Sequence, residues 1–244
     1  MASISARDRL IVALDFAHVD AARAFVGRLG PAVSFYKIGL ELILRKGGLD
    51  LACELRERGK QVFLDMKLLD IENTVKQATR SVSATGATFL TVHAHDGKTL
   101  RAAMAGKAGS SLKILAVTVL TNLDEGDLRE QGIAEPPVEL VARRARLARD
   151  AGCDGVVASG LEAAQVRAVV GPGIAIVTPG IRLAGGARGD QARVATPQAA
   201  IAAGADYLVV GRPITGAPDP SRAVEDFVQA IEEAIAVRAL GPPG

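Results

Sequence analysis

Short apolar runs recur along the chain, separated by longer stretches that read as amphipathic helix. The runs are Leu10–Leu14, Ser34–Ile38, Gln61–Leu64, Phe89–His93, Ile114–Thr118, Gly155–Ala158, Ile174–Thr178 and Tyr207–Val210. Several are continuously apolar, the pattern of parallel strands covered on both faces. Strand alternating with helix implies parallel pairing through βαβ crossovers. Eight such units in 244 residues predict an α/β protein with a single (β/α)₈ barrel, which typically takes about 250 residues.

The helix ends support this reading. "ERGKQVFLD", "ATGATFLTVH", "DAGCDGVVAS" and "AAGADYLVVG" each close a helix on glycine and enter a strand. Glycine there can take the left-handed conformation that caps a helix. Thr196-Pro197 reads as an N-cap followed by proline in the first turn of a helix running through Ala203. These units form a weak repeat, and no Pro/Ser-rich linker divides them. One catalytic domain over 1–244 is expected, with "GPPG" at 241–244 as a frayed tail. A doubly wound open sheet would carry a glycine-rich loop after its first strand. "LDFAHVD" is not such a loop, so the barrel is preferred.

Composition narrows the function. Hydrophobic residues are 49% and charged residues 23%, which suits a globular chain with a sizeable core. A net charge of +2, 3% aromatics and no Trp argue against nucleic acid as a partner. The segment Met1–Leu10 has no apolar leader core, and no apolar run approaches the roughly 20 residues of a membrane span. Cys53 and Cys153 lie too far apart in sequence to suggest a disulfide framework and read as small buried residues. A cytoplasmic protein is expected.

Barrel active sites lie at the C-terminal ends of the strands. The residues at or beyond those ends include Asp15, Lys37, Asp65, His93, Thr121, Arg182 and Arg212. The densest group is Asp65-x-Lys67-x-x-Asp70. Strand alternation puts Asp65 and Lys67 on one face, and Lys37 and Asp70 would complete an alternating set of charges. Flanking carboxylates favour an ammonium at Lys67, which suits a proton donor. A structural ion pair at a strand end would show the same spacing.

A second group looks like a phosphate site. "TPGIRLAGGARGDQ" follows the seventh run and "VGRPITGAPDP" the eighth, where many barrels bind phosphate. Arg182 and Arg212 offer planar forks of donors, and Gly185–Gly189 reads as a lid. A solvated loop is the alternative. Among the three histidines, His93 reads as a hydrogen-bonded strand-end residue, and His18 and His95 as surface positions. No H-E-x-x-H or Cys/His metal motif is present.

"FLDMKLLDIENTV" resembles the D-x-K-x-x-D-I-x-N-T signature of the orotidine 5′-phosphate decarboxylase family. "IVALD", "FYKIGLEL", "VTVLTN", "VTPGIR", "GDQ" and "TPQAAIAAGADYLVVGRPIT" match its bacterial form in order. The resemblance implies decarboxylation of orotidine 5′-monophosphate to uridine 5′-monophosphate, with no cofactor and no metal. It places Asp15 and Lys37 at the ribose and in the charged network. Asp65 would face the substrate carboxylate, and Lys67 would protonate C6. Asp70 and Ile71 would reach a neighbouring subunit's site, with Thr74 near the ribose there, which implies a homodimer. Thr121 would contact the pyrimidine side; Arg182, Gln191, Gly211 and Arg212 would hold the phosphate.

Two positions depart from the family pattern: Leu68-Leu69 before the second aspartate, and Asn122 where serine is usual. Asn122 can still hydrogen-bond a pyrimidine edge. The alternatives are a metal-dependent barrel acting on keto-sugar phosphates, which shares the D-x-K-x-x-D core, and a non-catalytic nucleotide-binding barrel. Retention of Lys37, Asp65, Lys67 and Asp70 together argues against the latter.

Overall fold

The computed structural model describes residues 4–185 and 194–240. Its strands are β1 (Leu10–Ala13), β2 (Phe35–Gly39), β3 (Gln61–Leu68), β4 (Phe89–His93), β5 (Lys113–Val117), β6 (Gly155–Val157), β7 (Ala175–Thr178) and β8 (Tyr207–Val210). All neighbours pair in parallel, and β8 returns to β1, closing a (β/α)₈ barrel in sequence order. The expected runs fall on these strands with ends displaced by about a residue, except that β3 continues four residues past Leu64. Helices connect the strands and cover them from outside.

Alternation along each strand divides the apolar residues into two cores. Outward residues such as Val12, Ile38, Leu64, Leu90, Ile114 and Leu208 pack against the helices. Inward residues Ile11, Phe35, Phe63, Phe89, Leu115, Val177 and Tyr207 fill the barrel. Both faces are therefore buried, which explains why the runs read as unbroken apolar segments. Phe89 is central to the inner core. Its ring meets Phe35 at 5.1 Å, Tyr207 at 5.2 Å and Phe63 at 5.9 Å between centroids, the last two edge to face. This aromatic layer fills the barrel below its C-terminal mouth, which only Phe63 among these rings reaches.

The helix ends behave as their sequences imply. Gly59, Gly86, Gly152 and Gly204 all have positive φ, from 71° to 104°, where a side chain would be strained. Thr196 caps the helix Pro197–Ala202 by accepting the Ala199 N–H at 3.1 Å. One expectation changes. Cys153 is buried but Cys53 is partly exposed, and both are free thiols. Burial pushes the Cys153 thiol up to about 12. The tail at 241–244 lies outside the described residues.

Candidate functional site

The same alternation builds the site. Two residues beyond inward Ala13, Phe35, Phe63, Phe89 and Val209 stand Asp15, Lys37, Asp65, Thr91 and Gly211. Asp15, Lys37, Asp65 and Thr91 therefore point inward, and all but Thr91 line the mouth, as does the backbone of Gly211. A cavity of about 460 Å³ opens there, lined by Asp15, Lys37, Asp65, Lys67, Thr121, Asn122, Pro179, Gly180, Arg182, Gly211 and Arg212, with apolar walls that include Val117, Val157 and Val209.

Four charges run in series along one side. Lys37 Nζ donates to Asp15 Oδ1 at 2.9 Å and lies 3.7 Å from Asp65 Oδ2. Lys67 Nζ donates to the same Asp65 oxygen at 2.8 Å. The Asp65 side chain is only 13% exposed and that of Lys37 11%. Burial by itself would raise the Asp65 pKa. The charges of Lys37 and Lys67, with hydrogen bonds from Lys67 and Thr91, outweigh it and hold the carboxyl below its usual range. Gly39 makes room for this series: a Cβ there would stand 3.0 Å from Lys37 Nζ and 3.3 Å from Asp15 Oδ1.

Asp65 and Lys67 meet, but not through a regular pleat. Leu64 pairs with Leu90 and Leu68 with Val92, so β3 advances four residues while β4 advances two. Lys67 sits inside this irregularity at φ 50° and is the one non-glycine residue with positive φ among the described residues. That conformation costs a side-chain-bearing residue about 1–2 kcal/mol, so its surroundings must enforce it.

On the opposite side of the same mouth, β7 leads into Pro179-Gly180. Ile181 bridges Ala195, and the Arg182 N–H donates to Ala195 O at 3.0 Å, which ties the start of the loop to its return. Burial lowers the Arg182 pKa, and the nearby charge of Arg212, which follows β8, lowers it further. Two guanidinium groups close enough to repel, on the wall of one cavity, suit a doubly charged anion.

Some expected residues stand elsewhere. Asp70, Ile71 and Thr74 are exposed. Asp70 Oδ1 accepts the Ile71 N–H at 2.6 Å, and among the described residues Asp70 forms no ion pair. It therefore does not join the charge series within one chain, because the chain turns outward at the end of β3. Gln191 and the expected lid beyond Gly185 lie outside the described residues. His93 differs from its expected hydrogen-bonded state: its Nδ1 is buried without a partner. Burial, followed by the charges of His95, Lys67 and Arg144, pushes it down to about 4. Its ring lies 5.0 Å from that of exposed His95. Thr91 and Gly39 were missed by sequence reasoning, although extending the alternation from Phe89 and Lys37 would have reached both. Among the described residues no helix is long and apolar enough to cross a membrane, and no group of three or more His, Cys, Asp or Glu could hold a metal ion.

Comparison with known proteins agrees with this geometry. A family model described as "Orotidine 5'-phosphate decarboxylase / HUMPS family" matches residues 8–227. The orotidine 5′-phosphate decarboxylase of Methylorubrum extorquens (strain PA1) is 56% identical over 95% of this chain and 99% of its own length. That of Rhodopseudomonas palustris (strain BisA53) is 54% identical over 93% and 96%. A crystal structure of the Lactobacillus acidophilus orotidine 5′-phosphate decarboxylase superposes with a TM-score of 0.81 at 37% identity, covering 91% of this chain and 98% of that one. With its closed barrel and charged mouth, the chain belongs to the orotidine 5′-phosphate decarboxylase / HUMPS family.

Proposed function

We propose that this chain converts orotidine 5′-monophosphate to uridine 5′-monophosphate and CO₂ without a cofactor, the last step of UMP synthesis de novo. The observation that carries the reading is the 2.8 Å contact of Lys67 with Asp65, in a cavity whose other wall holds Arg182 and Arg212. Relatives above 50% identity across nearly the whole chain bear the same activity as their name. The keto-sugar-phosphate alternative has no comparable support among them.

The nucleotide lies across the mouth. Its phosphate meets Arg182, Gly211 and Arg212, and Gln191, outside the described residues, is expected to join them. Its ribose meets Asp15 and Lys37, and its pyrimidine lies beside Thr121 and Asn122. The C6 carboxylate faces Asp65. Like charge disfavours that bound carboxylate, and the penalty vanishes as neutral CO₂ forms. The C6–carboxylate bond breaks, its electron pair stays on C6, and Lys67 Nζ delivers a proton to that carbon. Lys67 then recovers a proton from solvent. Phosphate binding far from C6 holds the base in place for this step.

The mouth is completed by a second copy of the chain. Leu69 is 49% and Ile71 73% exposed just beyond β3, and we read Asp70, Ile71 and Thr74 as reaching the partner's site in a homodimer.

Replacing Lys67 tests the reading. Lys67→Ala should bind uridine 5′-monophosphate within about 10-fold of wild type while kcat falls by about 10⁴-fold, the upper range for a general acid. Near-normal turnover in that variant would refute the assignment.

A further inference from the structure

Lys67 occupies a backbone conformation that lysine disfavours, and lysine has no short side chain to stabilise it locally. The restraint comes from the neighbouring strand. Within the irregular stretch of β3, the Lys67 N–H donates to Thr91 Oγ1 at 3.0 Å. The Thr91 hydroxyl in turn donates to Asp65 Oδ1 at 2.8 Å. Lys67 Nζ occupies the other oxygen of that carboxylate. These bonds close a ring through the Lys67 backbone, Thr91, Asp65 and the Lys67 ammonium. A hydroxyl has one hydrogen and two lone pairs. Giving the hydrogen to Asp65 leaves a lone pair for Lys67, so both bonds are satisfied together. Thr91 is fully buried and does not line the cavity, so it acts on the reacting groups without touching the substrate.

We infer that Thr91 is a positioning residue for the decarboxylation proposed above: its hydroxyl holds Lys67 in the left-handed conformation and sets the rotation of Asp65. The inference rests on that proposed activity. Arg182 and Arg212, which would bind the phosphate, lie on the opposite wall, so loss of the hydroxyl separates turnover from nucleotide binding.

Thr91→Val removes the hydroxyl at nearly constant volume, and Thr91→Ser keeps it. Thr91→Val should lower kcat by roughly 100-fold, the scale of a misplaced reacting group, with uridine 5′-monophosphate affinity within about threefold of wild type. Asp65 would also lose a hydrogen bond to its ionised form, so the acid limb of kcat/KM should move to higher pH. Thr91→Ser should restore the rate and the acid limb. In nucleotide-free protein, the Lys67 amide should exchange faster in Thr91→Val than in wild type or Thr91→Ser. Wild-type kcat in Thr91→Val, or equal impairment in Thr91→Ser, would overturn the inference and leave Thr91 a packing residue. If Thr91→Val does not fold, Thr91→Ser and Thr91→Ala make the comparison. Serine should be faster by at least about 10-fold, and equal rates would overturn the inference. If wild type does not decarboxylate orotidine 5′-monophosphate, the proposed activity fails, while amide exchange at Lys67 still tests the restraint.

Discussion

The two rims of the barrel use the same residue types in different ways. At the N-terminal rim, Asp154 accepts both the Lys107 ammonium at 2.6 Å and the Ile114 N–H at 2.8 Å. Asp206 repeats the device one strand pair further on, accepting Arg167 at 2.6 Å and the Ile176 N–H at 2.9 Å. Each carboxylate there links a helix to the start of a neighbouring strand. At the C-terminal rim the carboxylate of Asp65 faces a cavity, shares one oxygen between two lysines, and borders a strained backbone. Ion pairs alone therefore do not mark a site. What distinguishes the upper rim is charge held against open space by backbone that would relax if it could.

The comparison predicts that substitutions at the two rims fail differently. The largest effect after Lys67 is expected at Arg212. Arg212→Ala should lower kcat/KM for orotidine 5′-monophosphate by about 100-fold, within the range for losing a charged hydrogen-bond donor, and leave thermal stability nearly unchanged. Steady-state kinetics with a melt on the same sample would check both. Unchanged kcat/KM would remove Arg212 from the phosphate site.

The lower rim should show the reverse. Asp206→Ala leaves the Ile176 N–H and the Arg167 guanidinium without their shared acceptor, a loss of about 2–3 kcal/mol. In a chain of this length that corresponds to roughly 5–10 °C in Tm. Turnover per folded molecule should match wild type. A kcat loss without a Tm change would erase the distinction between the rims.

The smallest effect concerns pH. His93 is pushed down to about 4 in the folded protein, against about 6.5 when unfolded. Between these values the unfolded chain binds more protons, so stability rises with pH across this window and is progressively lost as pH falls from about 6.5 towards 4. Allowing for partial solvent screening, the loss is up to about 2 kcal/mol. His93→Gln should flatten that part of the profile, measured by denaturation at fixed temperature. An unchanged slope would assign it to other groups.

Much of the upper rim was legible in the sequence because alternation is a strict rule inside a closed barrel. Once Phe35 and Phe63 point inward, Lys37 and Asp65 must follow. The arginine pair was legible for a related reason, since Arg182 and Arg212 follow β7 and β8, consecutive strands whose following loops meet at the mouth of a barrel. The irregularity in β3 was not legible. Nothing in "LDMKLLD" separates a pleated strand from one that leaves its ladder at Leu64, because the hydrogen bond that Lys67 makes there goes to Thr91 on another strand. The lower-rim pairs were equally hidden. Asp154 and Asp206 precede strands as ordinary polar residues, and their partners are Lys107 with Ile114 for the first and Arg167 with Ile176 for the second. Asp70 shows the limit from another direction, because the role proposed for it needs a second copy of the chain.

The central claim is that the upper rim decarboxylates a pyrimidine nucleotide with its own side chains. The most direct test follows the absorbance of orotidine 5′-monophosphate with purified protein in excess EDTA and identifies the product. The account predicts rapid, complete conversion to uridine 5′-monophosphate. No conversion, with EDTA or with added Mg²⁺, would contradict it.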